Sequence, residues 1–97
     1  MELKINSTAG TMESSDIMIV LEPRSEGGIE LEITSSVMQQ FGKEIRKVIL
    51  DTLAEYGVEN AKIEAIDKGA LNCTVKARTV AAICRSAQSS DYRWEVK

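Results

Sequence analysis

Histidine is absent from the sequence. Without imidazole there is no Ser/His/Asp triad, no Cys/His pair and no histidine-based metal site, and the side chain that titrates nearest neutrality is missing. A chain of this kind is a poor candidate for acid-base catalysis and is expected to receive any reactive group from elsewhere. Cysteine is scarce: Cys73 and Cys84 lie eleven positions apart, outside the C-x-x-C spacing, with no histidine to complete a zinc site. Both occupy apolar pattern positions, so two buried thiols are expected, with no metal. Aromatics make up only 4% of the chain, too few for base-stacking platforms, and no G-x-x-G loop of the KH type is present, which argues against a small RNA-binding module. No apolar run approaches the ~20 residues of a membrane span. The stretch Met1-Glu2-Leu3-Lys4 has no signal-peptide core, so a cytoplasmic protein is expected.

What is present fits one globular domain spanning 1–97. Hydrophobic residues make up 43% and charged residues 28%, the proportions of a chain that buries a core. The net charge of -3 is unevenly spread, because residues 1–36 hold seven acids and two bases, while residues 37–97 hold eight acids and ten bases. An acidic first third is unsuited to phosphate backbones and suits a basic protein surface.

Hydropathy periodicity outlines the fold. Ile17 to Leu21 reads as a short strand, Glu22 to Gly28 as a turn, and Ile29, Leu31 and Ile33 alternate with Glu30, Glu32 and Thr34 as a second strand, together a hairpin. Val37, Phe41, Ile45, Val48, Ile49, Thr52, Leu53 and Tyr56 then recur at helical spacing. Ser36 and Gln39 form a capping box, and Gly57 is placed for a left-handed stop. Ala61, Ile63 and Ala65 predict another strand. After the turn Asp67-Lys68-Gly69, Leu71, Cys73, Val75 and Ala77 predict its hairpin partner, and Thr79 to Ala87 a short helix. The expectation is an α+β two-layer sandwich in ββαββα order, an antiparallel sheet with helices on one face. Its uncovered face would carry Met18 and Val20, available to a partner. Residues 88–97 read as a tail anchored loosely by Trp94, with a short edge strand over Tyr92 to Val96 as the alternative.

Residues 1–16 read as a flexible region. Thr8 to Asp16 is dominated by small and hydroxylated side chains, and Asp16 is placed to accept a backbone or hydroxyl hydrogen bond at the start of a strand. An accessible serine on such a loop is also a good acceptor for covalent modification.

Three blocks, in order, carry a family resemblance: GTMESSD (Gly10–Asp16), FGKEIRKVILDTLAEYGV (Phe41–Val58) and DKGALNCTVKARTVAAICR (Asp67–Arg85). They resemble the acyl carrier (γ) chain of citrate lyase. The resemblance implies that Ser14, with Ser15 as runner-up, carries a covalently attached 2'-(5''-phosphoribosyl)-3'-dephospho-coenzyme A. It implies that this arm presents acetyl and citryl thioesters to the α and β subunits, which exchange and cleave them, giving acetate and oxaloacetate. A prosthetic-group transferase and an acetylating ligase are implied as transient partners, and neither nucleic acid nor membrane is. The chain itself would be a non-catalytic subunit, which accords with the missing histidine. Two alternatives remain open on the sequence: the acyl carrier of malonate decarboxylase, and a scaffold or adaptor domain whose Ser14 stays unmodified.

Overall fold

The computed structural model describes residues 3–35 and 38–88. Four strands, β1 (Ser7–Gly10), β2 (Ile17–Pro23), β3 (Ile29–Ser35) and β4 (Ala61–Asp67), form one sheet, and two helices, α1 (Met38–Glu55) and α2 (Asn72–Ser86), lie against it. The α+β two-layer class expected from the sequence is therefore the class observed, with two helices over four strands. Ser36, Val37, the side chains of Gln39 and Phe41, and the segment with Trp94 lie outside what is described, and with them the expected capping box and both readings of the tail.

Strand order in the sheet is β1-β2-β4-β3. The hairpin expected between 17–21 and 29–33 does not form, because β4 inserts between its two arms, antiparallel to β2 and parallel to β3. The sheet is thus mostly antiparallel. Burial explains the arrangement: β4 alternates Ala61, Ile63, Ala65 and Asp67 fully buried on one side, so it gains most from a central position. β3, whose apolar residues are only half-buried, takes the edge.

The fourth strand also comes from a different place. Leu71 to Ala77 is not a strand but the start of α2, and the strand expected there is supplied by Ser7–Gly10, inside the segment read as loop. The alternation across 71–77 coincides with a helical pattern: Val75, Thr79, Ala82, Ile83 and Ser86 are buried at spacings of three and four, while Leu71, Cys73 and Ala77 are exposed. Cys73 is accordingly an exposed thiol rather than a buried one. Cys84 is buried as expected, and neither is in a disulfide.

Ile17, Ile19, Leu21, Ile63 and Ala65 from the sheet meet Ile45, Ile49, Leu53 and Tyr56 from α1 and Val80 and Ile83 from α2 in one core. α1 ends as its sequence predicts. Gly57 has φ of 71°, its N–H donates to the Ala54 carbonyl and the Val58 N–H to the Leu53 carbonyl, a Schellman stop. The opposite sheet face carries no element among the described residues. No helix among them is long and apolar enough to cross a membrane.

Candidate functional site

Ser14 lies on the connection between β1 and β2, and the loop is narrower than its sequence suggests because β1 extends to Gly10. Gly10 makes the narrowing possible: its φ is 94°, and a Cβ there would stand 1.8 Å from the Ile17 carbonyl oxygen. Only glycine lets the chain turn this closely over the start of β2.

The tip is a four-residue turn, closed by the Asp16 N–H donating to the Glu13 carbonyl at 3.2 Å. Ser14 and Ser15 are its central residues, and Ser15 has φ of 65° while Ser14 does not share the positive sign. That combination is the type II pattern, in which the third residue takes the strained conformation. Both serines are exposed, but they are held differently. The Ser15 N–H donates to the Lys68 carbonyl at 2.8 Å and the Lys68 N–H to the Asp16 carbonyl at 2.8 Å, continuing the β2–β4 ladder past Ile17 and Asp67. Ser14 forms the corner above this anchor.

Asp16 organises the base of the loop. One carboxylate oxygen accepts from the Ile17 N–H (2.7 Å) and Arg78 Nε (3.1 Å), the other from Thr11 Oγ1 (2.6 Å) and Arg78 Nη2 (2.9 Å). The Arg78 guanidinium first, then the Thr11 hydroxyl and the Ile17 N–H, hold this carboxyl well below the usual carboxylate range. The Thr11 hydroxyl in turn accepts from the Glu13 N–H at 3.2 Å. The loop is thereby clamped to α2 at its base and open at its corner.

The sequence identified Ser14, Ser15 and the accepting role of Asp16, and the structure brings all three into one turn. Arg78 and Lys68 were not identified, because they lie more than fifty residues away in sequence and no local pattern links them to the loop. Asp67, read as a turn residue, is almost fully buried and accepts from Ser35 Oγ and from the N–H groups of Gly69 and Ala70, fixing the loop that carries Lys68. A hollow of about 360 Å³, lined by Ile45, Gly69, Ala70, Leu71 and Asn72 among others, opens beside that same loop. A second, of about 510 Å³, is lined by Pro23 at the far end of β2 and so is remote from the serines. Among the described residues no group of three acidic or cysteine side chains could hold a metal ion.

Comparison with known proteins agrees on one family. Residues 4–86 match the family model described as the malonate decarboxylase delta subunit, an acyl carrier. A citrate lyase acyl carrier protein from Fusobacterium nucleatum is 52% identical over 94 residues, covering 97% of this chain and all of that protein. One from Streptococcus equi is 54% identical over 95 residues, covering 98% and 93%, and one from Streptococcus mutans is 50% identical over the same shares. Among solved structures, a chain of a Pseudomonas malonate decarboxylase hetero-tetramer shares the fold, with a TM-score of 0.71 at 19% identity over 84% of each chain.

Proposed function

The chain belongs to the acyl carrier family of citrate lyase and malonate decarboxylase, and on that premise we propose that it is the carrier subunit of citrate lyase, with the prosthetic group attached through Ser14 Oγ. Members of this family are carriers within an enzyme complex and not catalysts. Identity of 50–54% to the citrate lyase carriers, against 19% to the malonate decarboxylase chain of similar fold, favours the first complex over the second.

The observation that carries the site is the exposed turn corner at Ser14 above an anchored base. A phosphodiester-linked group of coenzyme size needs an oxygen that faces solvent, and the neighbouring Met12 side chain is itself 51% exposed, so a bulky substituent meets no wall. The group, phosphoribosyl dephospho-coenzyme A, supplies a terminal thiol for acyl thioesters. This chain's own residues do the holding. Thr11, Asp16 and Arg78 fix the direction in which the corner projects, and tethering raises the effective concentration of what the arm bears at the α and β subunits. Ser15 is the less suited of the pair, since its backbone is committed to Lys68 and to a left-handed conformation.

Intact-mass measurement after co-expression with the prosthetic-group transferase tests the proposal. Wild type and Ser15→Ala are expected to gain the mass of the group and Ser14→Ala to gain nothing. Gain by Ser14→Ala with none by Ser15→Ala reassigns the site, and an unmodified wild type removes the carrier reading in favour of an adaptor. Reconstitution with citrate lyase or malonate decarboxylase subunits separates the two complexes.

A further inference from the structure

The sheet face turned away from the helices has an ordered chemistry. Reading across the strands from the register, the row nearest the Ser14 loop is Thr34, Ile66, Met18 and Gly10, and the next is Glu32, Glu64, Val20 and Thr8. Met18, Val20 and Ile66 are half-buried with nothing described above them, and Glu32 and Glu64 are exposed. The row beyond holds Glu30, Lys62 and Glu22. Glu30 is balanced there by Lys62 and Arg24, at 4.0 and 3.7 Å. Glu22, Glu32 and Glu64 have no ion pair among the described residues.

Glu32 and Glu64 are direct cross-strand partners, so their backbones stand roughly 5 Å apart by strand spacing and both carboxylates leave the same face. Like charges in that register oppose folding of the isolated chain. A cation brought by another molecule would turn the cost into an attraction. The apolar row begins two residues after Asp16, immediately under the loop, and the acidic row lies about 7 Å further along the strands.

We propose that this face is the docking surface of the carrier for a subunit of its complex. The matching surface presents an exposed apolar side chain over Met18 and Ile66, and Lys or Arg residues about 7 Å further on, over Glu32 and Glu64, with Val20 beside Glu64 in that second row. The inference rests on the carrier reading and deepens it, because a partner seated here lies against the base of the Ser14 loop and fixes from which side the arm is approached. Charge complementarity selects the basic partner, and the apolar row sets its register.

Binding of the full-length chain to purified citrate lyase α and β subunits provides the test. Glu32→Lys/Glu64→Lys is expected to raise Kd about tenfold or more in low salt, with the difference shrinking at high salt. Met18→Ala/Val20→Ala is expected to weaken binding with little salt dependence. Glu26→Lys/Glu59→Lys makes the same charge change in exposed loops and is expected to change Kd less than twofold. Glu64→Lys alone is expected to melt no lower than wild type while binding more weakly, a combination that a merely structural role for Glu64 does not produce. Unchanged Kd in the face variants, or equal weakening by the loop pair, overturns the proposal while Ser14 modification continues to support the carrier reading. An effect of Glu32→Lys/Glu64→Lys on Kd that disappears in a chain lacking residues 89–97 makes that segment the occupant of the face and likewise overturns the proposal. A wild-type chain that neither binds nor is modified removes both.

Discussion

The Asp16–Arg78 clamp gives the most direct measure of how the serine loop is held. Asp16→Asn keeps an oxygen for the Ile17 N–H, and Arg78→Met keeps most of the aliphatic stem while removing the guanidinium. The pair makes two charge-assisted hydrogen bonds at 3.1 and 2.9 Å. Its side chains are 13% and 40% exposed, so the interaction is partly screened. A coupling of about 1 kcal/mol is expected from a double-mutant cycle, between the value of a surface pair and that of a buried one. At an m-value of ~1 kcal/mol/M a coupling of that size corresponds to about 1 M in urea midpoint, read as the part of the Arg78→Met shift that is absent when Asp16 is already Asn. The pH dependence has a definite sign. The carboxyl of Asp16 titrates lower in the folded chain than the ~3.9 of an unfolded one, so its stabilisation is fully present at neutral pH. It is lost as the pH falls from ~5 through the carboxylate range towards the folded pKa. The stability gap between wild type and Asp16→Asn should therefore narrow as urea melts are repeated from pH 7 down to pH 3. A coupling below ~0.3 kcal/mol, or a gap that stays flat with pH, would refute the assignment of the clamp.

Two further substitutions test the local geometry. Gly10→Ala combines a positive φ with a 1.8 Å clash against the Ile17 carbonyl and is expected to cost about 2–4 kcal/mol by thermal melting. Gly28→Ala, also at positive φ but with nothing within 4 Å, is expected to cost about 1 kcal/mol, and equal losses at the two sites would contradict the steric argument. Leu71 is the N-cap of α2, 70% exposed, with capping backbone angles and no side-chain bond to the helix. Leu71→Asp is expected to stabilise by about 0.5–1.5 kcal/mol in urea titration, and destabilisation would contradict the cap assignment.

The sequence carried the local half of this structure. Ile45 to Tyr56 announced α1 by its period, Gly57 announced its end, and the apolar run over 17–21 and the alternations over 29–33 and 61–65 each became strands. What failed were the inferences about partners. Adjacent strands 17–21 and 29–33 looked like a hairpin, but no local pattern reveals that Ala61–Asp67, buried on its inner face, displaces one arm. The alternation of Leu71, Cys73, Val75 and Ala77 satisfied a strand template that the helical period from Val75 to Ser86 overrode. Ser7–Gly10 was too short and too polar to signal a strand, and its place is secured from outside. Ser7 Oγ donates to the Ala82 carbonyl at 2.6 Å, and Arg85 Nη1 to the Thr8 carbonyl at 2.6 Å. The site divides in the same way. Ser14 and Asp16 were legible as neighbours in a loop, whereas Lys68 and Arg78 enter it only through tertiary folding.

The position of β4 between β2 and β3 has a consequence for the order of events in the life of the chain. Ser15 and Asp16 take their final geometry from Lys68, and Asp16 takes its charge partner from α2, so the turn that presents Ser14 cannot be completed by the first third of the sequence alone. It appears only after the central strand has slotted in and the last helix has docked. An enzyme that required the geometry of this turn would act on the finished domain and not on a partly synthesised chain.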